Sequence, residues 1–454
     1  MEELDYLKRI DIAMIAPSRV GKTSLISAIY TEFSQGSANS GILFEANDND
    51  DIHEYRRGCL RIAPDPNFSK ISTRGHLESL LFSYTGDVSG LNFTAAREGT
   101  KDPVLLSFSL KGLPVTEGKE GLTMPLKILD YQGGDVSSFA TGGNKLVLRQ
   151  YIPKCFALVV PIFSLALLGK AELLQKMGKD GVANEEQSRK SKKLHEVLEI
   201  NHVLNLIETW CRERIKSNKK GVLLFAPVKC ETYFNEKDDA TREQSIGFLL
   251  QRVKVDYFEG LQQSLATKLT KEELAKIRDL IAVEYCPAQT FGAMIHKGHI
   301  RWDREGFKDV YELRGQQPNP VPFGGAWIMY KILERRNKLM SAILSAKATA
   351  DRVAVGSQNR IEWLINAVFG RNRKRLAEAA EFEQEADAHK QFIADVGHMV
   401  GVVGNRYSDS WEWPSDWVVQ NRVVKCPQCG RAMRMRYREA MDCPSCGGRV
   451  VAIW

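Results

Sequence analysis

Two constellations in this 454-residue chain have the residue types and spacing that chemistry requires. One is IAPSRVGKTS, residues 15–24. The other is a pair of C-x-x-C-G motifs, Cys426-Pro427-Gln428-Cys429-Gly430 and Cys443-Pro444-Ser445-Cys446-Gly447, with 13 residues between Cys429 and Cys443. Gly21-Lys22-Thr23-Ser24 fits the end of the phosphate-binding pattern G-x-x-x-x-G-K-[ST], but Ala16 stands where the pattern has its first glycine. Alanine serves there if its φ is negative, because a preceding strand is only just ending. In such a loop the backbone N–H groups of Ser18, Arg19, Val20, Gly21, Lys22, Thr23 and Ser24 wrap phosphates at a helix N-terminus. Lys22 reaches the terminal phosphates and the Thr23 hydroxyl ligates Mg2+, while Gly21 lets the backbone approach closely. The plainer alternative is a glycine-containing turn with a surface lysine.

The four cysteines suit tetrahedral Zn2+, because each C-x-x-C-G makes a tight knuckle presenting two thiolates. The intervening AMRMRYREAM is expected to fold as a short hairpin. A redox role ranks lower, since redox C-x-x-C motifs open a helix after a strand. Residues 421–454 carry seven Lys/Arg against two Asp/Glu. Arg434, Arg436, Tyr437 and Arg438 are therefore candidates to meet phosphates, nucleic acid included, or an acidic partner. The preceding WEWPSDW, 411–417, holds three of the eight tryptophans. It is read as internal packing, with a partner anchor as the alternative.

A phosphate loop works only between a strand and a helix. DIAMIA (11–16) reads as a buried strand, and TSLISAIYTEF (23–33) places Leu25, Ile26, Ile29 and Phe33 at helical spacing. A nucleoside triphosphate site also needs a carboxylate on a neighbouring strand to hold Mg2+ through water. LKILDYQGG (126–134) supplies Asp130, and VLLSFSL (104–110) upstream predicts an antiparallel partner for that strand. The run CFALVVPIFSLALLG (155–169) is shorter than the ~20 residues that span a bilayer, and Pro161 interrupts it; it predicts a strand running into a helix.

Together these elements resemble the TRAFAC class of P-loop GTPases, which contains translation factors, Ras-like proteins and dynamins. Within it the style is similar to divergent bacterial GTPases of conflict and defence operons. The resemblance covers roughly residues 8–345. It implies an α/β mixed sheet with an antiparallel second strand, flanked by helices. It also implies that Asp130-Tyr131-Gln132-Gly133 is the D-x-x-G motif, with the Gly133 N–H sensing the γ-phosphate. VLLFAP (222–227) matches the fifth strand of the class, and Val228-Lys229-Cys230-Glu231 stands where N-K-x-D belongs. Lys229 would cover the base and Glu231 would accept from guanine. The asparagine is replaced by Val228, so the nucleotide is GTP or another nucleoside triphosphate. Exposed surface charges are the alternative for Lys229 and Glu231. Thr270-Lys271-Glu272-Glu273 is a capping box; after its helix LIAVEY (280–285) reads as the sixth strand, and Ala288 in the following CPAQT falls in the last base-contacting loop. Gly324 and Gly325 open a closing helix.

Two departures bear on mechanism. Thr23 and Asp130 lie 107 positions apart, so residues 34–100 must hold an elaborated switch region or an inserted subdomain, with a helix over 72–82 and an acidic run at 47–51. Thr100, or else Thr94, is the candidate switch threonine. The water-orienting glutamine of Ras-like proteins is replaced by Gly134; Arg19 is a substitute cation, or else faces solvent or a carboxylate. The catalytic candidates are thus Lys22, Arg19 and Thr100.

The 43% hydrophobic and 26% charged residues exclude wholesale disorder, and a net charge of +7 over this length does not by itself argue for nucleic acid. MEELDYLKRI lacks the apolar core of a signal peptide, which places the chain in the cytoplasm. Cys59, Cys155, Cys211, Cys230 and Cys286 fit reduced core positions. A core-facing helix is expected within 184–214, and further helices over 240–265 and 334–395, with RNRKR (371–375) on a solvated face. Three regions follow: a GTPase-like domain at 1–345 with insertions near 34–100 and 170–215, a helical extension with a tryptophan-rich linker at 346–420, and a zinc ribbon at 421–454. The function implied is an Mg2+-dependent, slowly hydrolysing GTP switch acting through protein partners. The alternatives are a nucleotide-bound scaffold without hydrolysis, or a nucleic-acid-binding protein that uses the basic ribbon.

Overall fold

Apolar runs bounded by turn residues become strands here, and helical-period segments pack on both faces of the sheet they form. The computed structural model describes residues 6–17, 20–40, 42–47, 104–112, 121–130, 150–176, 190, 194, 197–234, 238–290, 294–296, 301–302, 307–308, 311–313, 322–358, 362, 366, 370–401, 407–417, 421–426, 429–436, 440–447 and 449–451. The expected helix at 72–82 and the acidic residues 48–51 lie outside them, as does Cys59.

The chain opens with β1 (Ile10–Met14) and α1 (Lys22–Ser40), which buries the predicted Leu25, Ile26, Ile29 and Phe33. β2 (Leu43–Asn47), β3 (Val104–Lys111) and β4 (Thr123–Asp130) follow. Next come β5 (Ala157–Phe163), α2 (Ser164–Lys176), α3 (Ile200–Ser217) and β6 (Gly221–Val228). The one-turn α4 (Glu231–Phe234) leads to α5 (Asp239–Val253), which runs through a π-helical segment, Lys254–Glu259, into α6 (Gly260–Lys268). α7 (Lys271–Leu280) begins with the expected capping box, Thr270 and Glu273 each accepting the other's backbone N–H, and ends in β7 (Ile281–Tyr285).

The eight strands of the main sheet run in the order β12-β7-β6-β5-β1-β4-β3-β2. β12 is Asp409–Trp411. β1 lies parallel between β4 and β5, and β6 and β7 continue the parallel half. β3 runs antiparallel to β4, as its sequence predicts, and β2 and β12 close the two edges antiparallel. Every residue of β5 and β6 is buried, the pattern of parallel strands covered on both faces. Each fully buried Leu, Ile, Val or Phe contributes about 1.5–3 kcal/mol relative to exposure.

Short pairs that periodicity does not reveal follow β7: β8 (Met294–His296) with β11 (Tyr311–Leu313), and β9 (Arg301–Trp302) with β10 (Phe307–Lys308). Two long helices come next, α8 (Gly325–Gly356) and α9 (Arg371–Gly401). α8 runs without interruption through position 345, where a boundary is expected. Arg336 on α8 donates to the Leu7 carbonyl at 2.6 Å, tying the extension to the start of the chain. Arg371, Arg373, Lys374 and Arg375 are exposed on α9, in keeping with a solvated face.

The tryptophan-rich segment joins the sheet. Trp411 on β12 stacks on Phe258 and Tyr285, and Trp413 donates to the Ile281 carbonyl at 2.8 Å. Of the scattered cysteines, Cys155, Cys211, Cys230 and Cys286 are buried, and burial raises the pKa of each thiol. Among the described residues, no helix is long and apolar enough to cross a membrane.

The terminal segment has its own small core of Cys426, Met433, Met435, Cys443 and Val450. Its hairpins differ from the expected one. β13 (Asn421–Lys425) pairs with β14 (Ala432–Arg436), and β15 (Ala440–Asp442) with β16 (Arg449–Val451). The described chain thus reverses at each knuckle, and the two strands that flank the middle of AMRMRYREAM, β14 and β15, do not pair with each other. The reason is local: Gly430 and Gly447 take φ of +71° and +70°, and their N–H groups close turns onto the Cys426 and Cys443 carbonyls at 2.9 and 2.8 Å.

α1 and α8 meet through a half-buried carboxylate. Glu32 Oε1 accepts from Gly325 N at 3.0 Å and Oε2 from Ala326 N at 2.9 Å. Burial pushes the Glu32 carboxyl up from 4.5 to about 7, against the lowering effect of the backbone N–H donors. A pKa raised in the folded state contributes stability that is complete below about pH 4.5 and lost as pH rises through about 7. Urea denaturation should therefore show wild type losing stability from pH 5 to 7.5 relative to Glu32→Gln, whose side chain does not titrate. Parallel pH curves for the two proteins would count against the raised pKa.

Candidate functional site

The parallel strands β1, β4, β5, β6 and β7 all end on one edge of the sheet, and the predicted residues that the structure describes gather there. β1 stops at Met14, and Ile15 adds one more bond to β5, its N–H donating to the Val159 carbonyl at 2.7 Å. Ala16 is fully buried, as is Val20 at 1% exposure. Gly21 takes φ of +114°, which a side chain rarely adopts, and α1 starts at the next residue. Lys22 is buried, and its ammonium donates to the Ala16 carbonyl at 2.8 Å and the Pro17 carbonyl at 3.2 Å. The loop is therefore curled around the ammonium, which rules out the surface-lysine alternative. The N-terminal end of the α1 dipole adds positive potential at the same place. Ser24 lies in the first turn of α1, half-buried.

The last residue of β4 supplies the counter-charge. Asp130 is fully buried, and the Thr23 hydroxyl donates to its Oδ2 at 3.1 Å. β1 and β4 are adjacent parallel strands, so residues 107 positions apart meet at their common end. A hydroxyl beside a carboxylate is an oxygen donor set of the kind that hard divalent cations take.

Lys229 follows β6 with φ of +58°. Its ammonium lies 4.2 Å from the centroid of the Phe163 ring, and its Cε is 3.7 Å from where a Cβ on Gly21 would stand. The side chain thus runs beside the loop. Its carbonyl accepts from the Ser164 hydroxyl at 3.0 Å. Glu231 is fully buried, which rules out a surface charge there. Its Oε1 accepts from the Thr290 N–H at 2.7 Å and the Thr290 hydroxyl at 3.3 Å. The Ala288 N–H donates to the Pro227 carbonyl at 2.7 Å, and the Ala288 carbonyl accepts from Cys230 N at 3.3 Å. The two segments after β6 and β7 are laced together by these bonds. Thr290 is the residue that sequence reasoning missed; its only signal is a hydroxyl two positions beyond Ala288. Ser18, Arg19, Thr94, Thr100 and Gly133 lie outside the described residues, as does Gly134.

The cysteine cluster is a second, separate site. Cys426 Sγ lies 3.6 Å from Cys446 Sγ, and Cys429 Sγ 3.5 Å from Cys443 Sγ. All four sulfurs fall within 4.8 Å of one another. A tetrahedron with Zn–S bonds of ~2.3 Å has edges of ~3.8 Å, so the four thiols are placed to hold a metal ion such as Zn2+. The backbone N–H of Ser445, then that of Cys446, pulls the Cys443 thiol down to about 6, favouring the thiolate that binds metal.

No protein-family model matches the chain, and no curated protein is significantly similar to it.

Elemental analysis of protein prepared without chelators should find one Zn2+ per chain. Cys443→Ser should release it and leave residues 421–454 open to protease, because so short a segment buries too little apolar surface to hold a fold without metal. Metal-free protein with an intact terminal segment would refute the site.

Proposed function

We propose that this chain is an Mg2+-dependent GTP-binding switch of the TRAFAC P-loop type, hydrolysing slowly and acting through partner proteins, with a structural zinc ribbon at its end. One observation carries the reading: Thr23 and Asp130 meet at 3.1 Å beside a loop curled around Lys22. The strand order supports it, with β1 between β4 and β5 and the antiparallel β3 beyond β4.

Each described residue then has a task. Lys22 gives its charge to the terminal phosphates, and the α1 N-terminus its N–H groups. Gly21 leaves the loop backbone open to close approach. Thr23 and Asp130 fit Mg2+ as oxygen donors, Thr23 directly and Asp130 through water; the ion would neutralise phosphate charge. Lys229, already alongside Gly21, is placed to flank the nucleotide. Glu231, fixed by Thr290, is the candidate base-reading carboxylate. Ala288 belongs to the same cluster, although its N–H is engaged by Pro227. Bacterial defence as the setting rests on the sequence resemblance alone.

A second reading is a nucleotide-bound scaffold without useful hydrolysis. Gly134 favours it, because the carboxamide that orients water in Ras-like proteins is missing from that position. Single-turnover hydrolysis separates the two.

Calorimetry with GTP and Mg2+ tests the site. Lys22→Ala should abolish tight binding, and Asp130→Ala should chiefly remove the Mg2+ dependence. Equal affinity in wild type and Lys22→Ala would overturn the loop assignment. GTP should outcompete ATP, and Glu231→Ala should narrow that preference; ATP binding as well as GTP in wild type would remove Glu231 from a base-reading role.

A further inference from the structure

A cavity of about 390 Å³ opens at the opposite end of β1 from the loop. Its walls come from the entry to β1, from the turn before β5, and from the end of α3. β1 has five residues, so the cavity and the loop are separated by roughly 16 Å of strand.

Arg214 is one of the lining residues. Its side chain is only 2% exposed. Nη1 donates to the Tyr6 hydroxyl and Nη2 to the Pro153 carbonyl, so both acceptors are neutral. Nε is buried with no hydrogen-bond acceptor. Tyr6 and Trp210 lie 5.3 and 5.7 Å from the guanidinium carbon, measured to their ring centroids. Among the described residues no carboxylate forms an ion pair with Arg214. Burying a guanidinium among neutral partners carries a desolvation cost that a bound anion would offset.

The rim has the same sign. Lys219 places its ammonium 4.8 Å from the Tyr6 ring centroid, and Lys154 lines the opening. Two acids also line the cavity. Asp11 is already held by Arg9 at 2.8 Å, which leaves Glu213 against Arg214, Lys154 and Lys219. The charge of Arg214 beneath Lys154 and Lys219 suits a group with several charged oxygens. The volume is ample for a small phosphorylated molecule.

We propose that this cavity is a second anion site, which binds the phosphate or diphosphate group of a small molecule independently of the loop at Lys22. The probe is inorganic pyrophosphate without Mg2+, added to the full chain carrying Lys22→Ala so that the loop cannot contribute. The expected result is a saturable rise in Tm. Lys154→Ala and Lys219→Ala, both at the rim, should each weaken the apparent affinity roughly fivefold, the effect of one exposed charge contact. Circular dichroism should show both variants folded. The proposal is overturned if Lys22→Ala alone abolishes the Tm rise, if pyrophosphate gives no rise, or if the double variant Lys154→Ala/Lys219→Ala responds like its parent.

Discussion

The carboxylate of Glu32 holds the two largest parts of the molecule together. It accepts the first two N–H groups of α8, which have no partner within their own helix. The acceptor is delivered from the third turn of α1, and its two oxygens satisfy these donors although desolvation makes the ionised form costly. The contact is close because Gly325 has no side chain; a Cβ there would lie 2.9 Å from the Ile29 nitrogen. α9 reaches the same helix further along, where Met399 presses on Gly36. The helix that starts at Lys22 therefore carries both helices of the extension.

A buried carboxylate does similar work at the far edge of the sheet. Glu284 on β7 is 1% exposed and faces Arg335 at 3.3 Å and Lys331 at 3.7 Å, both from α8. It also accepts from the Ser410 hydroxyl of β12 at 2.6 Å. One charge thus joins the last parallel strand, the long helix and the strand that covers the edge. An exposed edge strand invites pairing with other chains, and β12 with its stacked tryptophans closes that edge.

The sheet also separates chemistry by direction. At one end of β1 a loop, a helix N-terminus and a buried Asp130 converge; at the opposite end, a buried Arg214 lines a cavity. Both arrangements follow from parallel strands, whose equivalent ends lie side by side and gather residues far apart in sequence.

The order of elements was legible in the sequence because each local signal had one physical meaning. The run ALVVPIF within 155–169 reads as a buried strand, Thr270 with Glu273 as a helix start, and two C-x-x-C-G knuckles as a thiol cluster. GKTS between a strand and a helix marked the loop, and Asp130 at a strand end marked its partner. The sequence did not reveal β2, β12 or the path of the ribbon hairpins. β2 and β12 are edge strands, and periodicity does not record which neighbour a strand will pair with. The Glu32 clamp, the Thr290 contact to Glu231 and the isolated charge of Arg214 were equally hidden. A glutamate on a helix reads as solvated until another helix end is placed against it. Local spacing determined which segments are helices, strands and knuckles; only the tertiary structure decided which charges are buried together, because burial depends on what distant parts of the chain cover.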